Sequence, residues 1–424
     1  MRAVGIEALS VFGGTARIDV LDLMRHRELD TRRADNLMMV EKTVALPCED
    51  PVSYAVNAAW PIINALSPAE RDRIEMVITC SESGIDFGKS MSTYVHHYLE
   101  LNRNCRLFEI KQACYSGTAG LQTAVSFVLS QASPGAKVLV IATDVARSMA
   151  PSLESLDPDF LKTTEWAYAE PSSGAGAVAM LVSDAPHVFQ LDVGASGYYG
   201  YEVMDTCRPV PDMDMGDADL SLMSYLDCCE NAYLEYAKRV DGVSYADSFQ
   251  YLVFHTPFGG MVKGAHRTMM RKIARAGRDV IEPDFERRVM PGMQYCQRVG
   301  NIMGATVMLS LASTIDHGDF SSARRLGCFS YGSGCCSEFY SGIVTAEGQR
   351  RMRQMLVGST LDARHRLTAA QYDGVMVDNF AVRFGTKDID LHPQQDSRVQ
   401  ATRGGARRLY LSSIRDYRRQ YEWI

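Results

Sequence analysis

Short apolar runs alternate along the chain with longer segments whose apolar positions recur at helical spacing. The short runs are "EMVITC", "RLFEI", "AKVLVIATD", "GAGAVAMLVSD", "FQLDVGA", "YLVFHT", "RRLGCFSYGSG" and "SEFYSGIV". Several are apolar at successive positions, which predicts strands covered on both faces. The opening "MRAVGIEALSVFGG" reads as one more strand closed by a Gly-Gly turn. "LQTAVSFVLS" has the spacing of a buried helix. Strands alternating with helices predict an α/β protein whose sheets carry helices on both sides.

The pattern also repeats. In the first half "MVITCSES" leads to "RLFEIKQACYSGTAGLQTAVSFVLS", then to "KVLVIATD" and "GAGAVAMLVS". In the second, "YLVFHTPF" leads to "QYCQRVGNIMGATVMLSLAS", then to "RRLGCFSYGSG" and "SEFYSGIV". Each half, 1–185 and 186–424, offers a polar residue after a strand, a helix opened by a second polar residue, and two more strands. Two copies of one unit put Glu82, Cys114, His255 and Asn301 at matching strand ends, and pseudo-twofold packing gathers them in one cleft.

Those four residues carry the candidate chemistry. Cys114 stands at a strand-to-helix junction, where backbone N–H groups and the helix dipole favour a thiolate. Gly117 and Gly120 permit close backbone approach there. Glu82, just beyond an apolar strand, fits a partly buried general base. Each also has a plain structural reading: a core thiol, a helix cap at Glu82, a core histidine at His255, an N-cap at Asn301, a tight turn at "SYGSG". Taken together they make a thiol nucleophile, donors for a carbonyl oxygen, and a base for a proton next to a carbonyl.

Composition narrows the class. The chain has 424 residues, 46% of them hydrophobic and 22% charged, enough for a substantial core. A net charge of -7 gives no support to nucleic-acid binding. No apolar run is long enough to span a bilayer, and the N-terminus lacks a signal-peptide profile, so the cytoplasm is expected. The eleven cysteines form no C-x-x-C pair, and Cys228-Cys229 and Cys335-Cys336 are adjacent. Reduced thiols are expected, with neither zinc nor another metal.

"ESGIDFGKS", "FEIKQACYSGTAG", "VIATDVAR", "EPSSGAGAVAM", "FHTPF", "VGNIMGATVMLSLAS" and "SYGSG" resemble, in family order, the 3-hydroxy-3-methylglutaryl-CoA synthases. The resemblance implies the thiolase fold, five layers α-β-α-β-α built from two pseudo-symmetric halves, and a homodimer with no cofactor. It implies that Cys114 is the acylated nucleophile, Glu82 the enolising base, and His255 and Asn301 the pair orienting the acceptor. Ser333 matches an oxyanion-hole position. Asp144 and Asp205 match acidic substrate-binding positions near the site.

"NLMM", "DTCRP", "HTPFGGMVKGAHR" and "YGSGCCSEFYSG" resemble the polyketide β-branching subgroup, which implies donor and acceptor acyl carrier proteins as partners. CoA-dependent members carry two or three lysines after "HTPF"; here Gly260 and Gly264 take two such places and Lys263 remains. Arg33, Lys263 and Arg267 are then the expected carrier-protein contacts. Residues 148–167 read as longer than the family's usual connection, either a lid or partner-contact element or, as the preferred reading, a tolerated loop extension. The rival readings are a CoA-using synthase of primary metabolism, a decarboxylating ketoacyl synthase, which needs no Glu82, and a non-catalytic carrier-protein binder.

Overall fold

The computed structural model describes residues 2–146, 169–211, 213–402, 404 and 407–424. Segment 148–167 lies outside them. All eight apolar runs form strands, as does the N-terminal one: β1 (Gly5–Phe12), β2 (Ile74–Cys80), β3 (Arg106–Ile110), β4 (Lys137–Val145), β5 (Ala175–Ser183), β6 (Phe189–Gly200), β7 (Tyr251–Phe254), β8 (Arg324–Gly332) and β9 (Cys336–Val344). They join in the order β7-β8-β9-β6-β1-β5-β4-β2-β3. Gly5–Gln190 and Ile6–Phe189 pair across the β1–β6 seam. Outward from that seam the order β1-β5-β4-β2 mirrors β6-β9-β8-β7, and β3 adds an edge to the first half. The repeat seen in the sequence is thus a repeat of strand order.

Helices α1 (Pro51–Ala65), α2 (Ser116–Ser130), α3 (Ala218–Arg239), α4 (Gly259–Lys272) and α5 (Thr306–His317) fill the layers. One face of the first half-sheet, with Val77, Leu139 and Ala179, packs on Val52, Ala55 and Ile62 of α1. Its other face, with Ile78, Val140 and Met180, meets Leu121 and Val125 of α2 and Leu311 of α5; Cys328 and Tyr340 of the second half-sheet close that core. The far face of the second half-sheet presents Phe254, Phe329 and Phe339 to Tyr233 and Tyr236 of α3 and to Met269 of α4. The layers therefore run α-β-α-β-α, and alternation along each strand sends neighbouring side chains to different cores. Truncating a central residue such as Leu311 to Ala costs about 2–5 kcal/mol.

The 185/186 boundary falls between β5 and β6, yet the second half returns to cover the first. His365–Arg366 pairs in parallel with Ala16–Arg17. A hairpin of Leu409–Arg415 and Arg418–Trp423 lies on α1. Asn57 Nδ2 donates to the Leu409 carbonyl at 3.0 Å, and Asn57 Oδ1 accepts from Leu409 N at 2.8 Å. Asp50, which caps α1, also accepts from the Tyr421 hydroxyl at 2.7 Å and from Arg419. Among the described residues no helix is long and apolar enough to cross a membrane.

Candidate active site

Glu82, Cys114, His255, Asn301 and Ser333 line one cavity of about 1060 Å³. Glu82 follows β2, Cys114 sits in the turn between β3 and α2, His255 directly follows β7, Asn301 precedes α5, and Ser333 follows β8. Both halves thus contribute through equivalent strand ends.

The Cys114 turn is tight. Tyr115 N donates to the Gln112 carbonyl at 3.0 Å, Ser116 N to that of Ala113 at 3.2 Å, and Ala113 adopts φ 43° although it carries a Cβ. Burial pushes the Cys114 thiol well up, and the Glu82 and Asp144 carboxylates add to it, against the pull of Arg208. The thiolate expected from the helix terminus is therefore not the resting form. A helix dipole is worth about 0.3–1 kcal/mol, less than burial beside two carboxylates takes away.

Burial also pushes the Glu82 carboxyl up, to about 8; Arg208 opposes, and Asp144 and Asp214 reinforce the rise. Desolvation takes His255 down to about 3, so its ring is neutral at physiological pH and offers one N–H donor. Its backbone is fixed at both ends: His255 N donates to the Phe329 carbonyl at 2.8 Å, and the Tyr225 hydroxyl donates to the His255 carbonyl at 2.6 Å. Among the described residues, His255 Nδ1 has no hydrogen-bond partner. Asn301 Oδ1 accepts from Met303 N at 3.0 Å and from the Thr306 hydroxyl at 2.8 Å. That fixes the amide so that Nδ2 is left as a donor. The "SYGSG" turn presses on the Cys114 turn: a Cβ on Gly332 would lie 2.5 Å from Tyr115 N, so only glycine lets the two backbones meet.

Asp144 and Asp205, expected to touch substrate, are almost wholly buried behind the cavity wall and do not line it. Asp144 Oδ1 accepts from Glu82 N (2.9 Å), Ser83 N (3.0 Å) and the Ser81 hydroxyl (2.9 Å). Asp205 accepts from the Tyr331 hydroxyl at 2.6 Å and from Gly334 N at 3.0 Å. One anchors the Glu82 loop, the other the "SYGSG" turn. A carboxylate holding several donors at a loop is a fixing device, and a sequence motif does not distinguish it from a ligand contact.

The carrier-contact candidates converge in part. A Cβ on Gly260 would lie 2.2 Å from the Asn36 carbonyl, so the N-terminus of α4 packs tightly on the "NLMM" segment that follows Arg33. Arg267 is exposed. Lys263 is not a free cation as expected: it pairs with Glu282 at 2.7 Å and lies over the Phe285 ring. The sequence reading missed Arg208 and Asp214, which line the cavity beside Glu82. Arg208 belongs to the "DTCRP" motif, where attention fell on Asp205.

The family model for the hydroxymethylglutaryl-coenzyme A synthase C-terminal region matches residues 267–423. Over 425 residues, covering 100% of both chains, the protein is 61% identical to the polyketide biosynthesis 3-hydroxy-3-methylglutaryl-ACP synthase PksG of Bacillus subtilis strain 168. The chain belongs to the hydroxymethylglutaryl-CoA synthase family. As a synthase of this family it is an acyltransferase. It is 31% identical to the hydroxymethylglutaryl-CoA synthase of Enterococcus faecalis over 378 residues, 88% of this chain and 92% of that one. Among solved structures, the HMG synthase of the curacin biosynthetic pathway, in complex with acetyl donor-ACP, superposes with a TM-score of 0.94 at 62% identity, covering 100% of each chain. MvaS in complex with 3-hydroxy-3-methylglutaryl coenzyme A gives 0.83 at 28% identity, covering 100% of this synthase and 99% of MvaS. The five-layered thiolase-type architecture is common to them.

Proposed function

We propose that this synthase installs a polyketide β-branch, working on thioesters of acyl carrier proteins. The observation that carries the reading is the placement of Cys114 and Glu82 on one cavity in a chain 61% identical, end to end, to a 3-hydroxy-3-methylglutaryl-ACP synthase. Cys114 sulfur attacks the acetyl thioester of a donor carrier protein. The pantetheine C–S bond breaks, and the thiol proton passes to the departing sulfur. Backbone N–H groups of Cys114 and Ser333 hold the oxyanion. Glu82 then takes a methyl proton from the acetyl-enzyme; its high proton affinity suits a base working near neutral pH. The enolate carbon attacks the β-ketone of a second, acceptor carrier protein's acyl chain. The neutral His255 ring and Asn301 Nδ2 donate hydrogen bonds to the ketone oxygen as it becomes an alkoxide, and protonation of the alkoxide to the tertiary alcohol balances the proton taken by Glu82. Water cleaves the Cys114 thioester, releasing the branch carboxylate and restoring the thiol. No step draws on a metal or redox cofactor.

Leu107, Phe108, Met261 and Met303 line the same cavity and suit an acyl chain. A CoA-using reaction is the second reading. Lys263 is paired with Glu282, and with glycine at 260 and 264 the first turns of α4, after "HTPF", offer no other Lys or Arg to a nucleotide phosphate. The separating experiment incubates the synthase with acetyl-carrier protein or with acetyl-CoA and reads the mass of the Cys114 peptide. Preferential acetylation by the carrier protein supports the proposal; equal or better transfer from acetyl-CoA favours the second reading.

The same reading makes the synthase a cytoplasmic homodimer. Free thiols at all eleven cysteines suit a reducing compartment. Among the described residues strand β3 has a neighbour on one side only, and it keeps Leu107, Phe108 and Ile110 half-buried, a suitable edge for a second copy. Light scattering of the purified protein tests the dimer.

A further inference from the structure

Arg208 stands on a two-stranded hairpin, Thr206–Val210 with Met213–Gly216, that forms one wall of the cavity. Its guanidinium reaches three oxygens. Nη1 donates to the Glu82 carbonyl at 2.7 Å, Nη2 to Glu82 Oε1 at 3.3 Å, and Nε to Asp214 Oδ1 at 2.6 Å. The three side chains share the same partial burial, 20%, 19% and 18% exposed. From behind, Asp144 holds Glu82 N. Glu82 is thus pinned at its backbone N–H by the buried Asp144 and at its carbonyl and carboxylate by the half-buried Arg208.

Resting on Glu82 as the enolising base, we infer that Arg208 is the positioning residue that sets the orientation and ionisation of Glu82, and that Asp214 limits how much of the Arg208 charge Glu82 feels. A cation at hydrogen-bond distance favours the carboxylate, and a second carboxylate on the same guanidinium works against it. Among the described residues the other charge facing Glu82 is Asp144 from β4; the Cys114 thiol before α2 and the His255 ring after β7 are neutral. Asp86, Lys89, Glu109 and Lys111 line the cavity further out. Arg208 is the one cation hydrogen-bonded to Glu82 among the described residues, so its removal has a predictable sign.

The test uses the full-length protein, acetylated at Cys114 by acetyl-carrier protein in deuterium oxide. Mass spectrometry of the Cys114 peptide follows deuterium entering the acetyl methyl group between pH 6 and 9.5. Arg208→Gln should still accept acetyl, exchange at least about tenfold more slowly at neutral pH, and show its pH midpoint raised by about one pH unit. Arg208→Lys should restore part of the midpoint, since it keeps the charge but not the three-way geometry. Asp214→Asn should move the midpoint the other way, to lower pH. Opposite shifts from the two hairpin substitutions are something a merely structural role would not produce. Coincident midpoints in wild type and Asp214→Asn overturn the inference, even if the Arg208 variants fail to fold. Glu82→Ala is the control on the underlying reading: if it exchanges like wild type, Glu82 is not the base and the proposed function loses its mechanism. An inert Glu82→Ala with unmoved midpoints elsewhere overturns the Arg208 assignment alone.

Discussion

Gly117 and Gly304 meet backbone to backbone across the junction of the two halves. A Cβ on Gly117 would stand 2.2 Å from the Gly304 carbonyl oxygen, and a Cβ on Gly304 would stand 2.2 Å from the Ser116 hydroxyl. This contact seats the start of α2, and Cys114 with it, against the Asn301 loop. Gly117→Ala has no side chain to push aside, so the backbones must part. It should cost about 1–3 kcal/mol or more and reduce acetylation of Cys114. Gly264→Ala is the contrast: nothing lies within 4 Å of a Cβ there, inside α4. It should leave stability unchanged or raise it by about 0.5–1 kcal/mol. Denaturant midpoints of the two variants check both.

Nucleophile and base are separable. Cys114→Ser should abolish acetylation, because the alkoxide is poorly formed without a dedicated base. Glu82→Ala should accept acetyl but condense about 10²-fold more slowly or worse, since the base acts only after loading. Intact-protein mass reads the first and product turnover the second. Acetylation at another cysteine in the Ser variant would remove Cys114 from the mechanism.

The carrier surface should not respond evenly. Arg267 is exposed, whereas Lys263 is held by Glu282. Arg267→Ala and Arg33→Ala should slow acetyl transfer from carrier protein, with the loss shrinking as salt rises. Lys263→Ala should have the smaller effect. Transfer from a minimal pantetheine thioester should be unchanged by all three, and a salt-independent loss with both donors would mean these residues support the active site itself.

Beneath α4, Arg288 is wholly buried and donates to both oxygens of Asp284, with His266 at 3.1 Å. Burial raises the Asp284 proton affinity, but the nearby His266 ring and the hydrogen bonds and charge of Arg288 outweigh it and hold the carboxyl well below its usual range. A carboxylate depressed on folding contributes stability that is complete above its unfolded value, near 4, and is lost as pH falls further. The wild type should therefore lose stability below about pH 4 in part through this group. Asp284→Asn should cost about 3–5 kcal/mol at pH 7 by leaving Arg288 buried and unpaired, and its stability should depend less on acid. Urea titrations at several pH values measure both.

Much of this was legible in the sequence because it is local. "KVLVIATD" reads as a strand covered on both faces, since each residue's own apolarity says so, and β4 is buried along nearly its whole length. Glu82, Cys114, His255 and Asn301 could be placed together because a repeated strand order puts them at equivalent ends. What could not be read is pairwise and distant. Arg208 reaches Glu82 across 126 positions, and no periodicity marks that pair. Lys263 reads as a free cation until Glu282 is set beside it. The Cys114 thiol reads as activated by a helix terminus until two carboxylates are brought against it in a buried place.

The hairpin that lies over α1 has a consequence for how the molecule is made. Asn57 and its partner Leu409 are 352 positions apart, and the Trp60 ring lies 4.7 Å from that of Trp423, tilted by 51°. At about 5–20 residues per second a ribosome needs roughly 20–70 s to travel between them. For most of that interval the outer helix of the first half is outside the ribosome with its apolar flank uncovered. The half that carries the nucleophile is synthesised early and sealed late, so a chaperone that shields α1 during translation has a defined window in which to act.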